Sequence, residues 1–169
     1  MDADKKPKQL NAPFVKTAMK YAGRAHAWVY RKSGGKIGGT WRVGAGAKKP
    51  VPTLLLEHKG RKSGKVFASP LVYINDGDNV IIVASMGGRD ENPQWYYNLI
   101  ADPDVHIEIG RDRRAVHAVV AGPEEKDRLW PKLVEAYADF DAYKSWTDRD
   151  IPVFILSPRQ PNGAGGSRG

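Results

Sequence analysis

The chain has 169 residues, enough for one domain with a sizeable hydrophobic core. It is 41% hydrophobic and 27% charged, values typical of a folded globular protein. The absence of cysteine excludes disulfides, thiolate metal sites and cysteine nucleophiles. The first residues lack the apolar segment of a signal peptide, and no stretch approaches the length of a membrane span. We therefore expect a cytoplasmic protein.

The net charge of +8 is unevenly distributed. Residues 1–65 contain 16 Lys and Arg but only three Asp and Glu, while the remainder contains 11 basic and 16 acidic residues. A basic half of this kind suits nucleic acid, anionic lipid or a phosphorylated small molecule. No nucleic-acid-binding motif accompanies the charge, so a nucleic acid partner is not expected.

The N-terminal region is predicted to contain a basic helix. Residues 1–10 are expected to be a flexible basic arm, followed by a helix at 13–31 with Asn11 as its cap and Pro13 in its first turn. Apolar residues recur on one helix face: Phe14, Ala18, Ala22, Ala25, Trp28 and Val29. Two interpretations stay open, a face packed on the domain and a face resting on the inner side of an anionic membrane.

The rest of the chain alternates short strands with a few helices. Strands are predicted at Thr53–His58, Val66–Ile74, Val80–Ser85, Val105–Ile109, Ala115–Val120 and Val153–Leu156. Helices are predicted at Asn92–Ala101 with Asn92 as the cap, at about Pro123–Tyr137, and at Ala142–Trp146. Six strands joined mostly by tight turns predict an antiparallel barrel within a single domain at 11–158. Residues 159–169 have the composition of a disordered tail.

Two loops have the character of ligand-binding sites. The turn Gly60-Arg61-Lys62-Ser63-Gly64-Lys65 places three cations and a hydroxyl between two strands, where they could bind phosphate or carboxylate. It could equally be an ordinary solvated hairpin. The loop Ser85-Met86-Gly87-Gly88 leads from a strand towards a helix N-terminus, and its glycines permit close ligand approach. Gln94 and Asn98, four residues apart, are predicted to share one face of that helix.

The remaining candidates do not form a classical catalytic set. Tyr137, Phe140, Tyr143 and Trp146 recur every three residues and either pack on the barrel or line a flat apolar pocket. The four histidines show no metal-ligand spacing, so no metal site is predicted. No Ser–His–Asp arrangement and no carboxylate pair is visible. If the chain is an enzyme, a cofactor is expected to supply the chemistry.

Taken together, these segments resemble the deazaflavin-dependent nitroreductase family of actinobacteria. The resemblance rests on the order and spacing of Gly60–Gly64, Ser69-Pro70-Leu71, Ser85–Gly88, Asn92–Leu99 and Ser145–Arg149. It implies an α+β, mainly β, antiparallel split β-barrel related to FMN-binding, pyridoxamine-phosphate-oxidase-like proteins, with peripheral helices. It also implies reduced coenzyme F-420, a deazaflavin with a phosphate and an oligoglutamate tail, and hydride transfer to quinones, nitroaromatics or activated enones.

The resemblance further implies a role for individual residues. Arg61, Lys62 and Ser63 would hold the anionic tail and phosphate. The other cofactor contacts would be Phe67, Ala68, Ser69, Pro70, Leu71, Ser85, Met86, Gly87, Gln94, Trp95, Tyr96 and Asn98. The substrate pocket would comprise Val72, Trp95, Tyr137, Phe140 and Tyr143. Catalytic roles would fall to Ser85, Tyr137 and Tyr143, with the proton coming from a tyrosine hydroxyl or from water.

The chain departs from the family pattern at Val72, Met86 and Phe140, which concern the choice of substrate more than the use of the cofactor. Two alternatives keep the fold: an oxidoreductase that binds FMN, and a carrier or sensor that stores the deazaflavin without turnover. The oligomeric state cannot be read from the sequence.

Overall fold

The computed structural model describes residues 6–41 and 49–160. Its helices are α1 (Pro13–Ser33), α2 (Gln94–Ala101), α3 (Pro123–Ala136) and α4 (Asp139–Ser145). Its strands are β1 (Thr40–Trp41), β2 (Val51–Lys59), β3 (Val66–Asp76), β4 (Asn79–Val83), β5 (Asp104–Ile109), β6 (Asp112–Val120) and β7 (Val153–Pro158). All six predicted strands and all four predicted helices are present, and the two-residue strand β1 is an addition.

Six of the strands close into an antiparallel barrel. They are hydrogen-bonded in the order β2-β3-β4-β7-β6-β5, and β5 also pairs with β2. Strand β1 extends the sheet beside the start of β2. Asp76 pairs with Asn79 across the β3–β4 hairpin, where Gly77 adopts the positive φ of 61° that such a turn requires. The predicted α+β split barrel is therefore confirmed.

Two hydrophobic cores lie on opposite faces of the barrel wall. Residues such as Leu54, Leu56 and Ile82 point into the barrel. Ile81 and Val83, two residues apart on β4, point outwards and pack beneath α3 and α4. Side chains alternate along a strand, and β4 is covered on both faces, so Val80–Val83 are all apolar.

Helix α1 docks on the barrel by a face that the sequence did not predict. Its buried residues are Ala27 and Tyr30, which pack with Leu55 of β2. The Tyr30 hydroxyl donates to Thr53 O at 3.2 Å and accepts from Gly110 N at 2.7 Å. On the predicted apolar face, Phe14 is 62% and Trp28 64% exposed. The helix is therefore packed on the domain, as one of the two interpretations expected, but through Ala27 and the hydrogen-bonded Tyr30 and not through the predicted apolar face.

Three predicted element ends are also wrong. The residue that caps α1 is Ala12, because the Asn11 side chain binds Asp90 instead of the helix N-terminus. The residue that caps α2 is Pro93, because Asn92 Oδ1 accepts a hydrogen bond from Arg149. Strand β4 ends at Val83, so Ser85 belongs to the following loop.

Residues 1–5, half of the predicted basic arm, and residues 161–169 of the predicted tail lie outside the described residues. Within the described part, Lys6 forms a 2.6 Å ion pair with Asp90, and Arg159 N donates to Ala115 O at 2.9 Å. The limits of the domain stay a prediction. No helix of the described residues is long and apolar enough to cross a membrane.

Candidate active site

The hairpin between β2 and β3 forms the basic turn, Gly60–Lys65. Gly60 N donates to Lys65 O at 2.8 Å, and Gly64 has a φ of 69°, which glycine adopts without strain. Arg61 and Lys62 are exposed at its tip. Among the described residues, no carboxylate forms an ion pair with Lys59, Arg61, Lys62 or Lys65, although Glu57 and Asp76 are each paired with two cations elsewhere. The turn therefore presents positive charge that is available to an anion.

The basic turn is fastened to the first turns of α2. Asn98 Oδ1 accepts from Arg61 N at 3.1 Å and from Arg61 Nη1 at 3.3 Å. Arg61 Nη1 also donates to Gln94 Oε1 at 3.2 Å, and its guanidinium lies 5.0 Å from the centre of the Tyr97 ring. Gln94 and Asn98 do share a helix face, as the spacing predicts. They are neutral partners, so they position Arg61 without cancelling its charge.

A depression of about 240 Å³ opens beside the basic turn. It is lined by Lys59, Gly60, Arg61, Gly64, Ala101 and Asp102. Asp102 is the one acidic side chain in this lining, and it makes no ion pair with the turn's cations. The depression lies between the end of β2 and the end of α2. It is next to the residues to which the family resemblance assigns the anionic part of the coenzyme.

His58 lies beneath the basic turn and was overlooked as a site residue by sequence reasoning. It is 5% exposed and stacks on Phe67 with 5.9 Å between ring centres. Its Nδ1 lies 2.9 Å from Asn98 Nδ2, and its Nε2 lies 3.0 Å from Ser69 Oγ. Burial lowers the pKa of His58 to about 4, so the ring is neutral at physiological pH. The only signal in the sequence is its position three residues before Arg61.

The segment Phe67–Leu71 does not line a single surface, because β3 alternates its side chains between two faces. Ser69 contacts His58 on one face, and Leu71 packs against the barrel interior on the same face. On the other face, Ala68 packs beneath α1 and Pro70 lies near Gly23. Phe67 is 44% exposed at the barrel rim. The side chains available to a ligand beside the basic turn are therefore those of Phe67 and Ser69.

The strand-end loop, Ala84–Arg89, follows β4 and has an unusual backbone. Met86, Gly87 and Gly88 have consecutive positive φ values of 48°, 63° and 78°. A Cβ on Gly88 would lie 2.9 Å from Trp146 Cε3 and 3.2 Å from Tyr143 Cα, whereas a Cβ on Gly87 would meet nothing within 4 Å. Gly88 thus lets α4 approach the loop, and Gly87 leaves its outer surface open to a ligand.

Arg149 holds this loop in place. Its guanidinium donates to Ala84 O at 3.0 Å, to Ser85 O at 2.8 Å and to Arg89 O at 2.9 Å. A fourth bond, of 2.7 Å, reaches Asn92 Oδ1 at the entrance to α2. Burial lowers the pKa of Arg149 below its ordinary value, but the group stays charged. Sequence reasoning grouped Arg149 with the family resemblance and gave it no role.

The predicted aromatic repeat forms a cluster on the outer face of the barrel wall. Tyr137 and Phe140 are buried with ring centres 5.0 Å apart, and Tyr143 is half-buried beside them. The hydroxyls of Tyr137 and Tyr143 lie 3.1 Å apart. Burial raises the pKa of both tyrosines, so both keep their protons at neutral pH. Val72 packs against the same cluster, so four of the five predicted pocket residues come together.

The fifth predicted pocket residue, Trp95, lies elsewhere. It is 6% exposed and packs inside the barrel with its ring centre 5.6 Å from that of Phe154. Tyr96 is half-buried and also contacts Phe154, at 5.7 Å. Trp95 therefore supports α2 from below, on the side of the wall away from Tyr137 and Tyr143. No group of three or more His, Asp or Glu in the described ranges is arranged to hold a metal ion.

Comparison with known proteins identifies the family to which the chain belongs. The F420H(2)-dependent quinone reductase family matches residues 21–158. The F420H(2)-dependent quinone reductase Rv1261c of Mycobacterium tuberculosis is 41% identical over 139 residues, 80% of this chain and 89% of its own. Rv3178 of the same organism is 65% identical over 118 residues, 70% of this chain and 99% of its own.

A solved structure gives the same result. The F420-H2 dependent reductase FDR-A is 36% identical, with a TM-score of 0.59 over 63% of this chain and 94% of its own. The resemblance seen in the sequence is therefore confirmed. The chain belongs to the F420H(2)-dependent quinone reductase family, and it is an oxidoreductase that uses coenzyme F-420.

Proposed function

We propose that this chain reduces a quinone with a hydride from coenzyme F-420, and that the basic turn holds the anionic part of the coenzyme. The single observation that carries the placement is the set of exposed cations at Arg61, Lys62 and Lys65 that have no carboxylate partner among the described residues. Arg61 is oriented by neutral amides, so its charge remains for a phosphate or a glutamate carboxylate. The donors present therefore fit an anionic coenzyme.

The rest of the coenzyme would run from the basic turn towards the strand-end loop. Phe67 and Ser69 supply an exposed ring and a hydroxyl between the two. Gly87 gives backbone that a flat ring can approach, because nothing lies within 4 Å of the position its Cβ would take. When bound, the reduced coenzyme supplies a two-electron hydride. The protein's task is then to align donor and acceptor and to exclude water.

The acceptor would lie against the strand-end loop and Tyr143. Tyr143 is half-buried, as is Trp146 beside it, and the Tyr143 hydroxyl lies 3.1 Å from that of Tyr137. A quinone that takes up a hydride needs one further proton to become a hydroquinone. Tyr143 carries its proton at neutral pH. Burial raises its pKa, but the hydrogen bond with the Tyr137 hydroxyl acts in the opposite direction and favours release of that proton to the acceptor. The buried Tyr137 would support Tyr143 without touching the acceptor.

The placement of the coenzyme is tested by reversing one charge. We expect Lys62→Glu to weaken binding of coenzyme F-420 by about tenfold or more, since it replaces an attraction by a repulsion. Lys20→Glu, an exposed lysine on α1, makes the same charge change away from the site. Binding is measured by fluorescence titration, with thermal unfolding as a check on the fold. Equal affinity in the two variants would show that the anionic tail lies elsewhere.

The acceptor side is tested by removing one hydroxyl. Tyr143→Phe keeps the ring but loses the proton donor, so quinone turnover should fall by about a hundredfold while coenzyme affinity is unchanged. Tyr97→Phe, on the exposed face of α2, is the matched control. Nitroaromatics and coumarin-type enones belong in the same assay with menadione. We expect the quinone to be the best acceptor, because Val72, Met86 and Phe140 depart from the nitroreductase pattern.

We also propose that α1 rests on an anionic membrane, which would bring the site to a lipid-soluble quinone. Phe14, Tyr21 and Trp28 are each more than 60% exposed and lie seven residues apart, on the side of the helix away from Tyr30. Two exposed basic residues, Lys20 and Arg24, lie beside this stripe. Exposed aromatics beside Lys and Arg favour the interface of a negatively charged bilayer.

Vesicle flotation tests this contact. The full chain should float with vesicles that contain anionic phospholipid and not with neutral vesicles. Replacing Phe14, Tyr21 and Trp28 together by serine should abolish flotation. Replacing the exposed Val119 and Val120 of β6 by serine should leave it intact. Equal flotation of both variants would contradict the contact, and with it the location at the inner face of the membrane.

A further inference from the structure

His58 is the buried titratable group that the proposed reaction leaves unused. Its ring is 5% exposed, yet both ring nitrogens have polar partners, one on α2 and one on β3. Those partners are Asn98, which binds Arg61, and Ser69, at the edge of the proposed coenzyme path. Which ring nitrogen of His58 carries the hydrogen decides which of these two residues it donates to.

The direction of each hydrogen bond follows from Arg61. Asn98 Oδ1 accepts from both Arg61 N and Arg61 Nη1, and neither of these groups can accept. The other end of the Asn98 amide is therefore NH₂, which donates to His58 Nδ1 at 2.9 Å. An acceptor Nδ1 carries no hydrogen. In the neutral ring the hydrogen is then on Nε2, which donates to Ser69 Oγ at 3.0 Å.

The consequence reaches Ser69. Its oxygen is occupied as an acceptor by His58, so its own hydrogen is free to point elsewhere. Ser69 Oγ has no further hydrogen-bond partner in the part of the chain that the structure describes. Ser69 is half-buried and shares a strand face with the exposed Phe67. Arg61, Asn98 and His58 thus form a series of hydrogen bonds in which each residue donates to the next. The series ends at the Ser69 hydroxyl, whose hydrogen is available to a ligand.

We propose that His58 is a positioning residue of the coenzyme site: fixed as the neutral Nε2–H tautomer, it turns Ser69 into a hydrogen-bond donor towards an acceptor atom of the coenzyme. This inference rests on the proposed function. Each donor in the series polarises the next, so the positive charge of Arg61 strengthens the final Ser69 bond. A protonated His58 would direct an Nδ1–H at the Asn98 NH₂ group and break the series. Burial, which holds its pKa to about 4, prevents this.

The tautomer is tested first in the coenzyme-free protein, by NMR of ¹⁵N-labelled histidine between pH 5.5 and 8. The signal that disappears in His58→Gln belongs to His58. It should show a protonated Nε2, an unprotonated Nδ1 and no titration across this range. A protonated Nδ1, or titration near the ordinary histidine pKa of about 6.5, would overturn the inference without any measurement of activity.

The effect on Ser69 is tested by coenzyme affinity. His58→Asn can still accept from Asn98 but cannot reach Ser69, so it should weaken coenzyme F-420 binding by about three- to tenfold, the loss of one hydrogen bond. Ser69→Ala should weaken binding by a similar factor. Adding His58→Asn to Ser69→Ala should have no further effect, because the histidine acts through the serine. His106→Asn, a half-buried histidine on β5, is the control and should bind like the wild type.

The outcomes separate the two proposals. If His58→Asn binds as tightly as the wild type, or weakens binding equally with and without Ser69, the inference is overturned and the proposed function stands. If the unaltered chain fails to bind the coenzyme, both proposals are overturned. The NMR result identifies the tautomer in either case, because it is measured on the unaltered protein and His58→Gln serves only to assign the signal.

Discussion

The basic turn and the strand-end loop both contain an arginine at a candidate ligand site, but the two arginines have opposite surroundings. Arg61 is exposed, bonds to neutral amides and keeps N–H groups to spare. Arg149 is half-buried and uses its guanidinium on three backbone carbonyls and Asn92. A cation with several unused donors is suited to bind a ligand, whereas one that makes four hydrogen bonds to the protein itself builds the surface that the ligand meets.

Two further arginines are neutralised by ion pairs and are therefore not available to a ligand. Arg31 and Arg113 form ion pairs with Glu57 at 2.8 Å and 2.7 Å on the outside of the barrel. Glu57 and Lys59 are two residues apart on β2, yet one belongs to a neutralised cluster and the other lies beside the unpaired turn. The arginines and lysines of this protein are therefore divided between structural and ligand-binding uses. Four predictions test the roles of the two loops and of this cluster, in order of expected effect.

The largest effect is expected at Arg149. Arg149→Met keeps most of the side-chain volume but leaves three carbonyl groups without their donor, which should lower the free energy of unfolding by about 3 kcal/mol. Arg114→Met, at an arginine paired only with Asp112 on the surface, should cost less than about 0.5 kcal/mol. Urea denaturation measures both. Similar values for the two would mean that Arg149 does not hold the strand-end loop.

The next effect distinguishes the two glycines of that loop. Gly88→Ala should lower the free energy of unfolding by about 2–3 kcal/mol, because it adds a 2.9 Å contact with Trp146 to the strain of a φ of 78°. Gly87→Ala carries the strain alone, since its Cβ meets nothing within 4 Å, and should cost about 1 kcal/mol.

The same pair of variants should behave differently towards the coenzyme. If the surface of Gly87 is the one that a ligand approaches, Gly87→Ala should reduce coenzyme affinity more than stability. Fluorescence titration of both variants measures this. An unchanged affinity in Gly87→Ala would place the ring away from the loop.

At the basic turn, substitution should change coenzyme affinity more than the free energy of unfolding. Arg61→Ala should lower coenzyme affinity by about tenfold, the value of a charge-assisted hydrogen bond, and change the unfolding free energy by less than about 1 kcal/mol. The fold keeps the backbone bond from Arg61 N to Asn98. Arg61→Lys should recover part of the affinity because the charge returns. If Arg61→Ala lowered the free energy of unfolding as much as the free energy of coenzyme binding, Arg61 would have a structural role like that of Arg149.

The smallest effect is expected in the ion-paired cluster, and it depends on pH. Burial raises the pKa of Glu57, but the hydrogen bond and charge of Arg113 and the charge of Arg31 outweigh it and hold the pKa below its ordinary value. The ion pairs therefore stabilise the fold fully above the pKa of the unfolded carboxyl, about 4.3. This contribution is lost as the pH falls through the lower pKa of the folded state.

Glu57→Gln should accordingly lower the unfolding free energy by about 1 kcal/mol at pH 7 and have a much smaller effect at pH 3. Coenzyme affinity at pH 7 should not change. Glu135→Gln, an exposed and unpaired glutamate of α3, should be silent at both pH values. Urea denaturation at pH 7, 5 and 3 measures the difference, and a difference that grows at low pH would reverse the assigned sign.

Much of the fold was predictable from the sequence, because its signals are local. Alternating and β-branched segments indicate the strands, and Asp76-Gly77 indicates the β3–β4 hairpin through the positive φ that glycine tolerates. The spacing of Gln94 and Asn98 places both on one face of α2. The order of the motifs indicates the family, and through it the coenzyme.

The tertiary structure decided what each of these residues touches. Arg61 and Asn98 are 37 residues apart, and Arg149 and Ala84 are 65 apart, so no local pattern could join them. The contacts of His58 and the inward position of Trp95 depend on the same closure of the barrel. The sequence determined that cations and a glycine-rich loop would be present, since charge and φ belong to single residues. Which cation is used and which is left free depends on neighbours that only the fold supplies.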